Sequence, residues 1–126
     1  MPSSIFTAPE IGSVGMTEFE AAEKEIPIKI GKFPFVALGK SAASGDTTGF
    51  VKWIADAGND RLIGAQVIGA HASELIAEAT MAIESEQTAD ELSDIIHSHP
   101  TLAEAWMEAA MAVNERCINY PPKRKK

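Results

Sequence analysis

A single change of hydrophobic period constrains this chain more than any other feature in it. Phe50-Val51-Lys52-Trp53-Ile54-Ala55 and Leu62-Ile63-Gly64-Ala65-Gln66-Val67-Ile68-Gly69 are β-rich runs around the turn-forming cluster Asp56-Ala57-Gly58-Asn59-Asp60. That is the pattern of an antiparallel hairpin. From Ala72 the apolar residues take helical spacing, at Ala72, Leu75, Ile76, Ala79 and Ile83, with Glu74, Glu78 and Glu84 mostly elsewhere on the cylinder. Strands thus come mainly first and helices mainly last. The order predicts an α+β fold, an antiparallel sheet with helices packed mainly on one face.

The remaining elements follow from local signals. Ser4 to Ala8 reads as a short strand stopped by Pro9, with Gly12 and Gly15 marking a turn. Thr17-Glu18-Phe19-Glu20 is a capping box opening a helix to about Lys24. Ile26 to Val36 carries Gly31 and Pro34 and reads as a bent or edge strand, and Ala37 to Thr48 as loop or a short helical turn. Thr88-Ala89-Asp90-Glu91 caps a short helix ending before His97. The last helix runs from about Thr101 to Val113 with Leu102, Ala105, Trp106, Ala109 and Val113 in one stripe and Met107 and Met111 off it. A helix apolar on more than one side needs a second surface, which in so small a domain points to another subunit. Trp53 and Trp106 fall on apolar stripes, as core or interface residues.

A chain of 126 residues is one domain with a sizeable core. No stretch reaches the ~18 apolar residues of a membrane span, and no signal-peptide pattern opens the chain. Met1-Pro2-Ser3 leads almost directly into Ile5-Phe6, which is compatible with a piece of a longer protein. The net charge is −7, but Lys123-Arg124-Lys125-Lys126 holds four of eleven basic residues. The body before it has seven against eighteen acidic residues, a net of −11, which argues against nucleic acid as a partner. We divide the chain into residues 1–116, one interface domain, and 117–126, a tail whose basic end reads as a solvated terminus. The single Cys117 has no partner for a disulfide or a CxxC site, so it reads as a small buried hydrophobe in a reducing, cytoplasmic setting.

Chemistry concentrates in His97-Ser98-His99-Pro100-Thr101-Leu102-Ala103-Glu104. Pro100 disfavours α geometry at His99 and so holds it on a rigid corner before a helix. Sequence physics alone favours a trans His99–Pro100 bond. An imidazole titrating near neutrality suits proton exchange. Glu104 has two readings: it completes a T-x-x-E box by accepting the Thr101 amide, or it orients the His99 ring. Thr7 to Glu10 also matches T-x-x-E, where Pro9 and the glycines argue against a long helix. His97 reads as a packing or hydrogen-bonding residue and His71 as a loop or capping-region residue. A metal site from His97, His99 and Glu104 lacks a further ligand, and no metal is expected. The chain has no dinucleotide fingerprint, phosphate loop or well-placed nucleophile. It is a base without the rest of a catalytic site.

The chain closely resembles the C-terminal dimerisation domain of the pyridine nucleotide-disulfide oxidoreductases. The likeness runs from about residue 4 to 115. It is carried by Phe6-Thr7-Ala8-Pro9-Glu10-Ile11-Gly12-Ser13-Val14-Gly15-Met16-Thr17 and by Gly45-Asp46-Thr47-Thr48-Gly49-Phe50-Val51-Lys52. It continues in Leu62-Ile63-Gly64, in His71-Ala72-Ser73-Glu74-Leu75-Ile76 and at His97 to Ala105. The resemblance implies a homodimer whose full-length chain carries an FAD domain with a redox-active cysteine pair and an NAD domain. It implies that His99 is the base that takes a proton from a dihydrolipoyl thiol, that Glu104 orients it, and that the His99–Pro100 bond is cis. His99 and Pro100 would then lie near the partner subunit's flavin, with a lipoyl-bearing protein as substrate. No FAD or NAD is expected on this chain alone, which should be inactive.

His97-Ser98 and Ala105 look more like the lipoamide branch than like glutathione reductases, which share the His-Pro-Thr-x-x-Glu core. The ending Cys117-Ile118-Asn119-Tyr120-Pro121-Pro122 lacks the vicinal cysteines of mercuric reductases. The alternatives are another disulfide reductase of the glutathione reductase type and a non-catalytic dimerisation module.

Overall fold

The computed structural model describes residues 1–118. Asn119 to Pro122 and the basic end from Lys123 to Lys126 lie outside the described residues. The elements are β1 (Ser3–Ile5), β2 (Glu10–Gly15), α1 (Glu18–Glu23), β3 (Ile28–Pro34), a 3-10 turn (Phe35–Ala37), α2 (Gly39–Ser44), β4 (Gly49–Asp56), β5 (Leu62–Gly69), α3 (Ala72–Glu84), α4 (Ala89–Ser93) and α5 (Glu104–Val113). The strands form one five-stranded sheet, ordered β1-β2-β5-β4-β3, in which every neighbouring pair is antiparallel. The expected α+β architecture is the one observed.

The β4–β5 hairpin is the middle of the sheet, pairing Val51 with Val67 and Trp53 with Ala65. Both expected capping boxes form in full, with Thr17 and Thr88 each accepting from the third helical residue and Glu20 and Glu91 reaching back. β3 lies at the sheet edge, as its Gly31 and Pro34 suggested.

One expectation fails. Gly12 and Gly15 do not mark a turn after a strand from Ser4 to Ala8. β1 stops at Ile5, and Gly12 lies inside β2, paired with Val67. The cause is tertiary. A Cβ on Gly12 would lie 2.9 Å from the Ala72 carbonyl oxygen and 2.9 Å from Ile76 Cβ, so the glycine is where α3 settles against the strand. Gly31 in β3 plays the same part for α5, since a Cβ there would meet the Ala109 carbonyl oxygen at 2.0 Å.

Two tryptophans tie these layers together. Trp53 of β4 donates its indole N–H to the Trp106 carbonyl of α5 at 2.9 Å, and Trp106 donates its own to the Leu75 carbonyl of α3 at 2.9 Å. Their ring centroids are 4.7 Å apart and both side chains are fully buried. Sheet, α5 and α3 are thus bolted in sequence, and truncating either ring to alanine costs about 3–5 kcal/mol. The opposite face is thinner. Lys52 pairs with Glu18 of α1, and Ile54, two residues on, is buried apart from the main core. The helices therefore lie mainly, not only, on one face. Among the described residues no helix is long and apolar enough to cross a membrane.

Candidate functional site

Residues 94–103 join α4 to α5 without helix or strand, and this segment carries His97, His99 and Pro100. The His99–Pro100 peptide bond is cis. The trans isomer expected from sequence physics is therefore corrected, and the isomer implied by the resemblance is the one present. The Thr101 hydroxyl donates to the Ser98 carbonyl at 2.7 Å, closing a tight turn around the proline.

Glu104 organises the turn. It is the first residue of α5, with its side chain 11% exposed. Its Oε1 lies 2.8 Å from His99 Nδ1, and its Oε2 accepts the Thr101 N–H at 2.8 Å. The capping and orienting readings of Glu104 are therefore not alternatives, because one carboxylate has an oxygen for each. The box is only half made: Thr101 spends its hydroxyl on Ser98, and α5 has no side-chain cap from its N-cap residue Ala103. Two residues on, Trp106 is fixed by hydrogen bonds on both sides, so the start of α5 has little freedom to carry Glu104 away.

The consequence for His99 is chemical. A carboxylate on Nδ1 favours the tautomer with the proton there and leaves Nε2 as the basic nitrogen. The side chain is 75% exposed, and Nε2 has no hydrogen-bond partner among the described residues. An oriented imidazole with its basic nitrogen open can exchange a proton with something brought to it.

His97 is placed otherwise. Its side chain is only 8% exposed, with Nε2 2.5 Å from Glu78 Oε1 on α3 and Nδ1 2.9 Å from the Ile95 carbonyl oxygen. The Glu78 hydrogen bond raises His97 above its ordinary value of 6.5. Partial burial pulls it back, while the Ile95 carbonyl and the charges of Glu78 and Glu104 add to the rise. Sequence reasoning read His97 as a hydrogen-bonding residue but missed Glu78, which lies 19 residues earlier in the chain. No local spacing signals that partner.

The other singled-out residues have structural places. His71 is the N-cap of α3 in a left-handed conformation without a side-chain cap bond, and Ser73 N–H and Oγ instead donate to Glu10 of β2. These bonds hold the Glu10 carboxyl below the ordinary carboxylate value. The Thr7-to-Glu10 match is thus no capping box, and its glutamate serves a helix 63 residues on. Cys117 is buried, with its thiol donating to the buried Glu108 carboxylate at 3.0 Å. Among the described residues, no group of three or more His, Cys, Asp or Glu could hold a metal ion.

Residues 1–110 match the family model described as the pyridine nucleotide-disulphide oxidoreductase dimerisation domain. A dihydrolipoyl dehydrogenase from Chlamydia muridarum is 46% identical over 125 residues, covering 99% of this chain and 27% of that protein. LpdA from Mycobacterium tuberculosis has a similar structure, with a TM-score of 0.82 and 27% identity over 87% of this chain and 24% of its own. RclA, an HOCl-induced flavoprotein disulfide reductase from Escherichia coli, gives a TM-score of 0.80 at 27% identity, covering 90% of this chain and 26% of its own. The chain therefore spans only about a quarter of the length of the relatives it matches. From residue 1 to residue 110, it belongs to the dimerisation-domain family of the pyridine nucleotide-disulphide oxidoreductases.

Proposed function

We propose that this chain is the interface domain of a dihydrolipoyl dehydrogenase, pairing two subunits and lending His99 and Glu104 to the partner subunit's disulfide and flavin. Residues 1–116 form that domain and 117–126 its tail, in a cytoplasmic enzyme acting on a lipoyl-bearing protein. The observation that carries the reading is the divided Glu104 carboxylate, one oxygen on His99 Nδ1 and the other on the Thr101 amide, beside a base that is 75% exposed. An exposed base without its own nucleophile fits a site completed by another polypeptide surface.

On this reading the dihydrolipoyl S–H gives its proton to His99 Nε2, and the thiolate attacks a sulfur of the parent enzyme's disulfide. One S–S bond breaks as a mixed disulfide forms, and the released protein sulfur leaves as a thiolate. The released thiolate takes the proton back from His99, which then accepts the proton of the second lipoyl thiol. The resulting lipoyl thiolate attacks the mixed disulfide, closing the lipoyl disulfide and leaving the protein pair reduced. Glu104 offsets the charge that develops on the imidazolium and keeps the ring in register. His99 and Pro100 are the residues of this chain that would border the flavin, and the exposed imidazole suits such a border. FAD and NAD, held by the other domains, supply the two-electron transfer to the nicotinamide. The isolated chain is inert on this reading. A second reading, the same domain in another disulfide reductase, is favoured by the likeness to RclA.

His99→Gln in the full-length enzyme tests the assignment. Reduction by dihydrolipoamide, followed by stopped flow, is expected to slow by ~10²–10⁴, the usual effect of losing an acid–base group. An unchanged rate removes His99 as the base.

A further inference from the structure

We infer that His97 is a positioning residue: clamped between Glu78 and the Ile95 carbonyl, it pins the irregular segment that carries His99 to helix α3. The inference rests on His99 being the base. It also stands on the connectivity of residues 94–103. Thr101 bonds to Ser98, Glu104 bonds to His99 and Thr101, and Ile95 N–H bonds to the Leu92 carbonyl. All of these stay within α4, α5 and the segment between them. Among the described residues, His97–Glu78 is the one hydrogen bond from the segment to any other element. α3 is in turn the helix that settles on Gly12 and accepts the Trp106 indole, so the clamp refers the segment to the core.

The clamp has a specific chemical form. Glu78 Oε1 and the Ile95 carbonyl oxygen are both acceptors, and they oppose the two ring nitrogens. A neutral imidazole has one N–H and can satisfy only one of them, whereas an imidazolium satisfies both. The groups around it agree. The groove beside the ring is lined by Glu78, Met81, Ala82, Gln87, Leu92 and Ile95, in which Glu78 is the sole charge, and Glu104 is the nearby charge from α5. Among the described residues, no cation from a neighbouring element opposes the charged ring. The two histidines thus divide the work, with His97 fixed in its charged form so that His99 can stand open and still be held.

The test uses the full-length enzyme with His97→Ala and, in parallel, Glu78→Gln, which keeps the side chain's shape at a half-exposed site and so serves as the second variant should His97→Ala fail to fold. Reduction by dihydrolipoamide is expected to slow about tenfold in His97→Ala, because small misplacement of a reacting group costs rate steeply. Glu78→Gln should slow it less, and KM should change little in either variant. Hydrogen exchange across residues 94–103 should quicken in both. Reduction by NADH, which does not call on His99, separates positioning from general damage. A loss shared equally by both half-reactions, or an unchanged dihydrolipoamide rate in both variants, overturns the inference. His99→Gln measured alongside distinguishes the failures: if it is slow while both clamp variants are normal, the base stands and the clamp falls. If His99→Gln is itself normal, the base assignment has failed first.

Discussion

Two histidine–glutamate pairs have their histidines two residues apart in this chain, and they share almost nothing but their chemistry. In one, His97 is 8% exposed and both its ring nitrogens face acceptors. In the other, His99 is 75% exposed, and only Nδ1 is engaged. The carboxylates differ in the opposite sense: Glu78 is 33% exposed and Glu104 11%. Where the imidazole is covered, the pair can only hold structure together, since no substrate reaches the ring. Where the carboxylate is covered and the imidazole open, the pair can exchange protons with something outside. Burial assigns the roles, and residue type does not.

The comparison is strained hardest at Glu104. Glu104→Gln keeps a carbonyl oxygen for the Thr101 N–H but can turn its amide N–H₂ toward His99 Nδ1. That arrangement asks Nδ1 to accept and moves the ring proton to Nε2, the nitrogen proposed to act as base. Reduction by dihydrolipoamide should fall about 10²-fold while the melting temperature stays close to the parent's, as expected when a tautomer is reversed within intact geometry. Glu104→Ala removes both bonds and should lower the melting temperature as well, by the order of 1 kcal/mol of lost capping. If Glu104→Gln melts early and turns over normally, the carboxylate is a cap alone and the contrast between the pairs collapses.

What could be read beforehand follows the reach of each interaction. The β4–β5 hairpin, the helical period of α3 and the capping boxes at Thr17 and Thr88 depend on residues a few positions apart, and all were legible. β2 was misread because Gly12 looks like a turn signal until α3, folded 60 residues on, presents Ala72 and Ile76 to the strand. The site divides along the same line. His99 and Glu104 lie five residues apart and were singled out by their spacing and, more strongly, by the family resemblance, and the two side chains do meet. Glu78 could not be found, because helical patterning says only that it lies off the apolar face, not that a later loop returns to it. The two readings of Glu104 stayed open for a different reason. Sequence names a side chain, and the division of its two oxygens between a ring and an amide is a matter of geometry.

The clamp should also leave a mark on the pH dependence of stability. His97 is raised above 6.5 in the folded protein, first by the Glu78 hydrogen bond. A raised imidazole stabilises the fold fully below its unfolded value, and that contribution is lost as pH rises through the folded value. The parent's margin in melting temperature over Glu78→Gln should therefore be greatest below pH 6.5 and shrink at higher pH. A margin that grows with pH reverses the sign, and His97 would then be neutral in its clamp.

The smallest expected effect supplies the control for the role of burial. Arg61 meets Glu86 through two hydrogen bonds, at 2.9 and 3.2 Å, a geometry as good as any ion pair here. Its partners are 47% and 65% exposed, so water and salt screen both charges. A double-mutant cycle on Arg61 and Glu86 should give a coupling of about 0.2–1 kcal/mol that fades with added salt. The same cycle on His97 and Glu78 below pH 6.5 should give a larger coupling that salt changes less, because the ring is covered. Good geometry is common to both pairs, so any excess at His97 comes from its surroundings. Equal couplings with equal salt dependence would mean that burial does not set the strength of these pairs, and the division between clamp and base would lose its physical ground.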